Sequence, residues 1–180
     1  GRRIQLPYNV EASRGYNNIM LRRESPMDRS RKDMDTGRLF MTENSRVTFS
    51  AADLENAPAE FEVPGYGTLR VCIEAVTEAN RGLLTEKNRY TKAFDYDRIK
   101  GVLTLGKAEP DDYIRFSKGA KSIKKFFVDE KVPRELRDKI PVLKDDSGVL
   151  WIVGYRIGEQ YKITDSTTKA LTAEIIGGQK

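Results

Sequence analysis

The chain has 180 residues, of which 38% are hydrophobic and 33% charged, and its net charge is +5. This is the composition of a well-solvated globular protein of one sizeable domain or two small ones, with no apolar run near the about 20 residues that cross a bilayer and no signal peptide at its start. Histidine is absent and Cys72 stands alone, which excludes the commonest general base, Ser-His and Cys-His pairs, most zinc sites and any internal disulfide, and fits the reducing cytoplasm.

Gly1 is no initiator, and GRRIQLPY reads as the middle of a structured pattern, so a fragment of a larger protein is expected. Residues 1–92 read as a β-rich amino-terminal part. RRIQLPY and YNNIMLRR are short strands. Residues 25–44 (SPMDRSRKDMDTGRLFMTEN) are polar, charged and aperiodic, the pattern of a mobile insertion. SAADLEN fits one helical turn capped by Ser50. FEVPGYGTLRVCIEAV fits a hairpin turning at Pro64-Gly65 and Gly67, with Cys72 a small buried apolar residue. Ala79 to Lys92 is polar and reads as a second excursion.

A second part, residues 93–180, begins near Ala93, and the two parts can form one compound unit. FDYDRIKGVLTL predicts a turn and then a strand at Gly101–Leu105. Asp111-Asp112 leads into YIRF, another strand. Ser122 can cap a helix in which Ile123, Phe126 and Phe127 recur at i, i+3, i+4. Pro133 suits the first position of a second short helix, with Leu136 and Ile140 on one face and Pro141 ending it. PVLKDDSGVLWIVGYRI predicts a hairpin around Asp145–Gly148, and QYKIT and KALTAEII supply two more strands. The class is α+β: mainly antiparallel strands with a few short helices packed on the sheet.

The charge is unevenly placed. Residues 1–112 carry 18 cationic and 18 anionic side chains, residues 145–180 carry 4 and 5, and residues 113–144 carry 10 and 4. The surplus thus sits in the segment holding both predicted helices. Lys121, Lys124 and Lys125 lie away from the apolar face of the first. Lys131 falls in the break, and Arg134 and Arg137 are i, i+3 on the second. A Lys and Arg mixture suits a phosphate backbone, the first as point charge and the second as fork. The free N–H groups at the helix start add to it. The plainer reading is a solvated face whose cations pair with Asp129, Glu130, Glu135 and Asp138, while Phe126, Phe127 and Trp151 are core rather than base-stacking platforms. Asp111-Asp112 and Asp145-Asp146 are adjacent carboxylates, and turn chemistry explains them better than acid/base or metal work. No phosphate loop or nucleophile elbow is present, and no catalytic residue or metal ligand is assigned.

These residues carry a resemblance. KSIKKFFVDEKVPRELRDKIPVL, then VLWIVGYRIGEQYKIT and Thr168-Lys169, resembles the carboxy-terminal domain of bacterial tRNA(Ile)-lysidine synthetases, a PheT/TilS-like carboxy-terminal domain. Lys124, Lys125, Phe126, Phe127, Asp129, Lys131, Pro133, Arg137, Asp138, Pro141, Trp151, Gly154, Tyr155 and Arg156 fall on the family pattern. The match is close over about residues 94–170 and loose before them, where the run around Tyr16 resembles an Arg-x-Tyr segment. One strand departs: LTLGKAEPDDY has Gly106 and Ala108 where the family often has arginine, and Asp111 where it has glycine, with Lys107 in partial compensation.

The resemblance implies a C–N bond-forming ligase that activates the wobble cytidine of an isoleucine tRNA with ATP and joins lysine to it. The chemistry, with ATP and Mg, would belong to an amino-terminal domain bearing an S-G-G-x-D-S loop that this sequence lacks. The chain itself would hold no cofactor and would grip the tRNA on its acceptor-stem side, through Lys121, Lys124, Lys125, Lys131, Arg134 and Arg137. About five such contacts imply a log–log salt slope near −4. The alternative is a structural or protein-interaction module, in which the strands pair with a sister subunit, so a homodimer stays open, or with the catalytic domain. Arg156 could contact RNA or brace the sheet, and the sequence favours bracing.

Overall fold

The computed structural model describes residues 3–6, 10–14, 19–23, 46–54, 58–63, 66–86 and 88–177, and for the first three stretches the strand pairing. The expected insertion at 25–44, the segment around Tyr16 and the Pro64-Gly65 turn lie outside them. Three strands form an antiparallel meander in the order β1-β2-β3: β1 (Arg3–Leu6), β2 (Val10–Arg14) and β3 (Ile19–Arg23).

Two larger sheets follow. One has the order β13-β12-β11-β8-β4, from β4 (Val47–Ser50), β8 (Val102–Lys107), β11 (Pro141–Asp145), β12 (Gly148–Ile152) and β13 (Arg156–Ile157). The other has the order β5-β6-β14-β7, from β5 (Ala59–Val63), β6 (Gly67–Ala75), β7 (Thr91–Asp95) and β14 (Lys169–Ile176). A hairpin of β9 (Tyr113–Phe116) and β10 (Gly119–Ser122) stands apart and runs directly into helix α2 (Ile123–Asp129). Helices α1 (Glu78–Thr85) and α3 (Arg134–Arg137) complete the elements used below. Every described pairing is antiparallel, so the α+β class expected from the sequence is the one observed. The 92/93 boundary falls inside β7, and strands from both sides of it share both larger sheets.

Alternation along the strands builds three layers. Phe49, Leu103, Leu105, Leu143 and Trp151 of the five-stranded sheet face Leu69, Val71, Phe94, Leu171 and Ala173 of the four-stranded one, and all are buried. On the other side of the five-stranded sheet, Val142, Val149 and Ile152 meet Ile114, Ile123, Phe126, Phe127 and Val132, so the hairpin and helices form the third layer. Strand β12 feeds both cores because of a bulge. Leu143 pairs with Trp151 and Lys144 with Val149, so Leu150 is the extra residue. Leu150 and Trp151 therefore enter the same core, and Val149 and Ile152 the opposite one.

Three expectations need correction. The polar stretch Ala79 to Lys92 contains all of α1 but its first residue, and the start of β7. Thr77 and Asn80 cap that helix reciprocally, each side chain taking the other's backbone N–H. QYKIT is not a strand: Glu159–Tyr161 is a 3-10 turn, because the Tyr161 hydroxyl donates to Asp145 Oδ1 at 2.6 Å and its ring is fully buried. Cys72 is half-buried on the outer face of the four-stranded sheet rather than in the core, and burial pushes its thiol above the usual range.

Candidate nucleic-acid interface

Helix α2 is short and strongly two-faced. Ser122 caps it, accepting the Lys125 N–H at 3.3 Å, and the Ile123 N–H goes to the Asp112 carbonyl. Two of the N–H groups expected to cradle a phosphate are thus already used. Ile123, Phe126 and Phe127 are no more than 2% exposed; burying each contributes about 2 kcal/mol, which fixes which face is left to water. Lys124 and Lys125 lie on that exposed face.

The helix ends in a tight reversal. The Lys131 N–H bonds the Val128 carbonyl and the Val132 N–H bonds that of Phe127, the paired bonds of a Schellman motif. Lys131 occupies the left-handed position, at φ 55°, where glycine is the relaxed choice. The reversal leaves Lys131 exposed and buries Val132. Helix α3 starts one residue later than expected, with Pro133 as its N-cap and Arg134 exposed.

The six sequence-predicted cations separate into three groups. Lys124, Lys125, Lys131 and Arg134 are exposed and make no ion pair among the described residues. Lys121 is bound to Asp129 at 2.6 Å and lies 5.4 Å from the Phe116 ring. That hydrogen bond holds the Asp129 carboxyl below its usual range. Arg137 is half-buried and donates its Nε–H to the Val132 carbonyl at 2.9 Å, bracing the reversal between the helices.

Other cations border this face without any periodic signal in the sequence. Arg156 is exposed, its guanidinium 4.8 Å from the Phe116 ring. Arg89 donates Nε–H to the Gly154 carbonyl at 2.9 Å and lies 5.9 Å from the Tyr155 ring. They come from β13 and from the turn before β7, so only tertiary structure brings them beside α2.

The paired carboxylates serve turns. Asp145 Oδ1 accepts the N–H groups of Ser147 and Gly148 and the Tyr161 hydroxyl, while Oδ2 accepts the Lys100 N–H. Asp112 accepts the Glu109 N–H at 2.6 Å and Lys144 at 2.9 Å. At the departing strand, a Cβ on Gly106 would come 3.9 Å from Arg46, and Arg46 is itself paired with Glu109. Among the described residues no three Cys, Asp or Glu side chains converge where a metal ion could sit, and no helix is long and apolar enough to cross a membrane.

Comparison with known proteins agrees with this architecture. Residues 104–173 match the family described as the TilS substrate C-terminal domain. A tRNA(Ile)-lysidine synthase of Caldanaerobacter subterraneus subsp. tengcongensis is 31% identical over 176 residues, covering 96% of this chain and 32% of that protein. One from Clostridium tetani is 28% identical over 181 residues, covering 98% of the chain and 34% of its own length. This chain thus spans about a third of the length of these relatives. A crystal structure of a TilS C-terminal domain superposes with a TM-score of 0.54 at 16% identity, covering 72% of this chain and 95% of that one. Residues 104–173, which hold the α2–α3 elbow, are thus a TilS-type substrate C-terminal domain, and nearly the whole chain is similar to about a third of the tRNA(Ile)-lysidine synthases it matches.

Proposed function

We propose that this chain is the non-catalytic, tRNA-gripping portion of an ATP-dependent ligase that joins lysine to the wobble cytidine of an isoleucine tRNA in the cytoplasm. The observation that carries this reading is the elbow itself. Lys124, Lys125, Lys131 and Arg134 are exposed and without an ion pair among the described residues, on two helices whose inner faces are buried. Such a face offers fixed cations to phosphates of an RNA duplex, whose deep groove is closed to side chains and whose recognition rests on shape and backbone. ATP and Mg belong to the catalytic portion of the longer protein. Here the binding energy positions a base that reacts elsewhere.

The test is an electrophoretic shift of the 180-residue chain with an isoleucine tRNA transcript at several salt concentrations. Four phosphate contacts give a log–log slope of about −3.5, and Lys124→Glu with Lys125→Glu removes the shift. A slope near zero, or binding that survives the double reversal, overturns the reading in favour of a protein-interaction module.

A further inference from the structure

A strip of rings and guanidinium groups runs beside α2, gathered from separate segments of the chain. Phe126 meets Phe116 with ring centroids 6.3 Å apart and Tyr155 at 6.2 Å, and Tyr155 also meets Phe127 at 6.3 Å. Phe126 and Phe127 are the buried backing of the strip, whereas Tyr155 is 37% exposed. Tyr155 stands in the turn between β12 and β13. Gly154 before it takes φ 79°, and the Gly154 carbonyl is held by Arg89. Arg156 follows, its guanidinium against Phe116. A partly exposed aromatic ring thus lies 5.9 Å from the Arg89 guanidinium, with Arg156, the next residue in the chain, anchored nearby on Phe116.

This chemistry differs from that of the elbow. Lysines on a helix suit the phosphates of a duplex, but a duplex keeps its bases stacked inside and shows no base face to a protein ring. A ring flanked by guanidinium groups suits an unpaired nucleotide, with the base stacking on the ring and the phosphates meeting the arginines. We propose that Tyr155, Arg89 and Arg156 form a site for an unpaired nucleotide at the open end of the duplex held by Lys124, Lys125, Lys131 and Arg134. The site rests on the duplex-gripping role proposed for the elbow. Phe126, Phe127 and Trp151, read from the sequence as core rather than stacking platforms, are all buried.

Fluorescence anisotropy of the 180-residue chain with two labelled RNAs tests this: a blunt-ended hairpin, and the same hairpin with a short unpaired tail at its open end. The tail is expected to tighten binding by about tenfold, the yield of one stacked base. Tyr155→Leu, which keeps apolar packing on Phe126 and Phe127, loses that gain, and Tyr155→Phe keeps it. Arg156→Gln lowers the salt slope by about one unit on the tailed RNA only. Equal binding of both RNAs by the unsubstituted chain, or a gain that survives Tyr155→Leu, overturns the site. Binding of the tailed RNA with none of the blunt hairpin overturns the duplex grip and leaves the nucleotide site standing. Binding of neither overturns both.

Discussion

At the scale of single residues, backbone geometry separates cations that hold the fold from cations that face outward. Lys131 pays a conformational cost to stand where it does. Its φ of 55° is disfavoured for any residue with a Cβ, yet a lysine fills the position that ends α2. Replacing it with glycine relieves the strain while deleting one exposed charge. Lys131→Gly is therefore expected to stabilise the chain by about 1 kcal/mol in urea unfolding and to reduce the RNA salt slope by about 0.9. Improved stability with an unchanged slope would remove Lys131 from the proposed contact set. Helical spacing was enough to place Lys124 and Lys125 outward and Ile123, Phe126 and Phe127 inward. It could not reassign Arg137, because the carbonyl it braces is presented only by the left-handed reversal. Nor could it reveal Arg89, which comes from a distant element, or place Arg156, named from the strand pattern alone, beside α2.

At the scale of elements, local chemistry was legible where a face or a cap fixed the outcome. Ser50 and Ser122 cap the turn and helix expected of them, and the hairpin at Asp145–Gly148 forms with those residues paired. Helix α1 was missed because it buries no side chain fully, leaving the Thr77–Asn80 cap as its main signal. QYKIT had strand-forming composition, but a buried hydrogen bond from Tyr161 overrode that propensity. The link between the loop before β9 and the sheet invites a test. Lys144 on β11 binds both Glu109 and Asp112, and the same loop receives Ile123 at the start of α2. The Lys144 bond holds the Glu109 carboxyl below its usual range. A depressed carboxylate contributes stability that is present above its unfolded value and lost as pH falls through its folded one. Lys144→Met is expected to cost about 1–2 kcal/mol at neutral pH, a modest value because Glu109 is half exposed and screened. The gap should narrow as pH falls below the ordinary glutamate range and Glu109 takes its proton. A pH-independent gap in urea midpoints would assign the loss to packing instead.

At the scale of the whole molecule, the sequence disclosed the strands but not their order. Strand β14 lies between β6 and β7, and β4 completes the sheet containing β8, and both are pairings between distant segments that no local pattern encodes. The layering has an electrostatic consequence. The outer face of the four-stranded sheet carries Glu60, Glu62, Glu74 and Glu174 around Arg70, while the exposed Lys124, Lys125 and Lys131 lie on the helix layer at the other side. Packed layers are spaced by about 10 Å, so the mid-planes of the two outer layers are about 20 Å apart and their outward faces farther still. The screening length is about 8 Å at 0.15 M salt and about 30 Å at 0.01 M. RNA held on the helix layer should hardly sense the acidic face at the higher salt and sense it clearly at the lower one. Glu62 is exposed and makes no ion pair among the described residues, which suits it to the measurement. Glu62→Lys is expected to leave tRNA affinity within about twofold at 0.15 M and to tighten it several-fold at 0.01 M. Tightening of equal size at both salt concentrations would mean that the RNA touches the sheet itself, and the helix layer would lose its claim to be the gripping face.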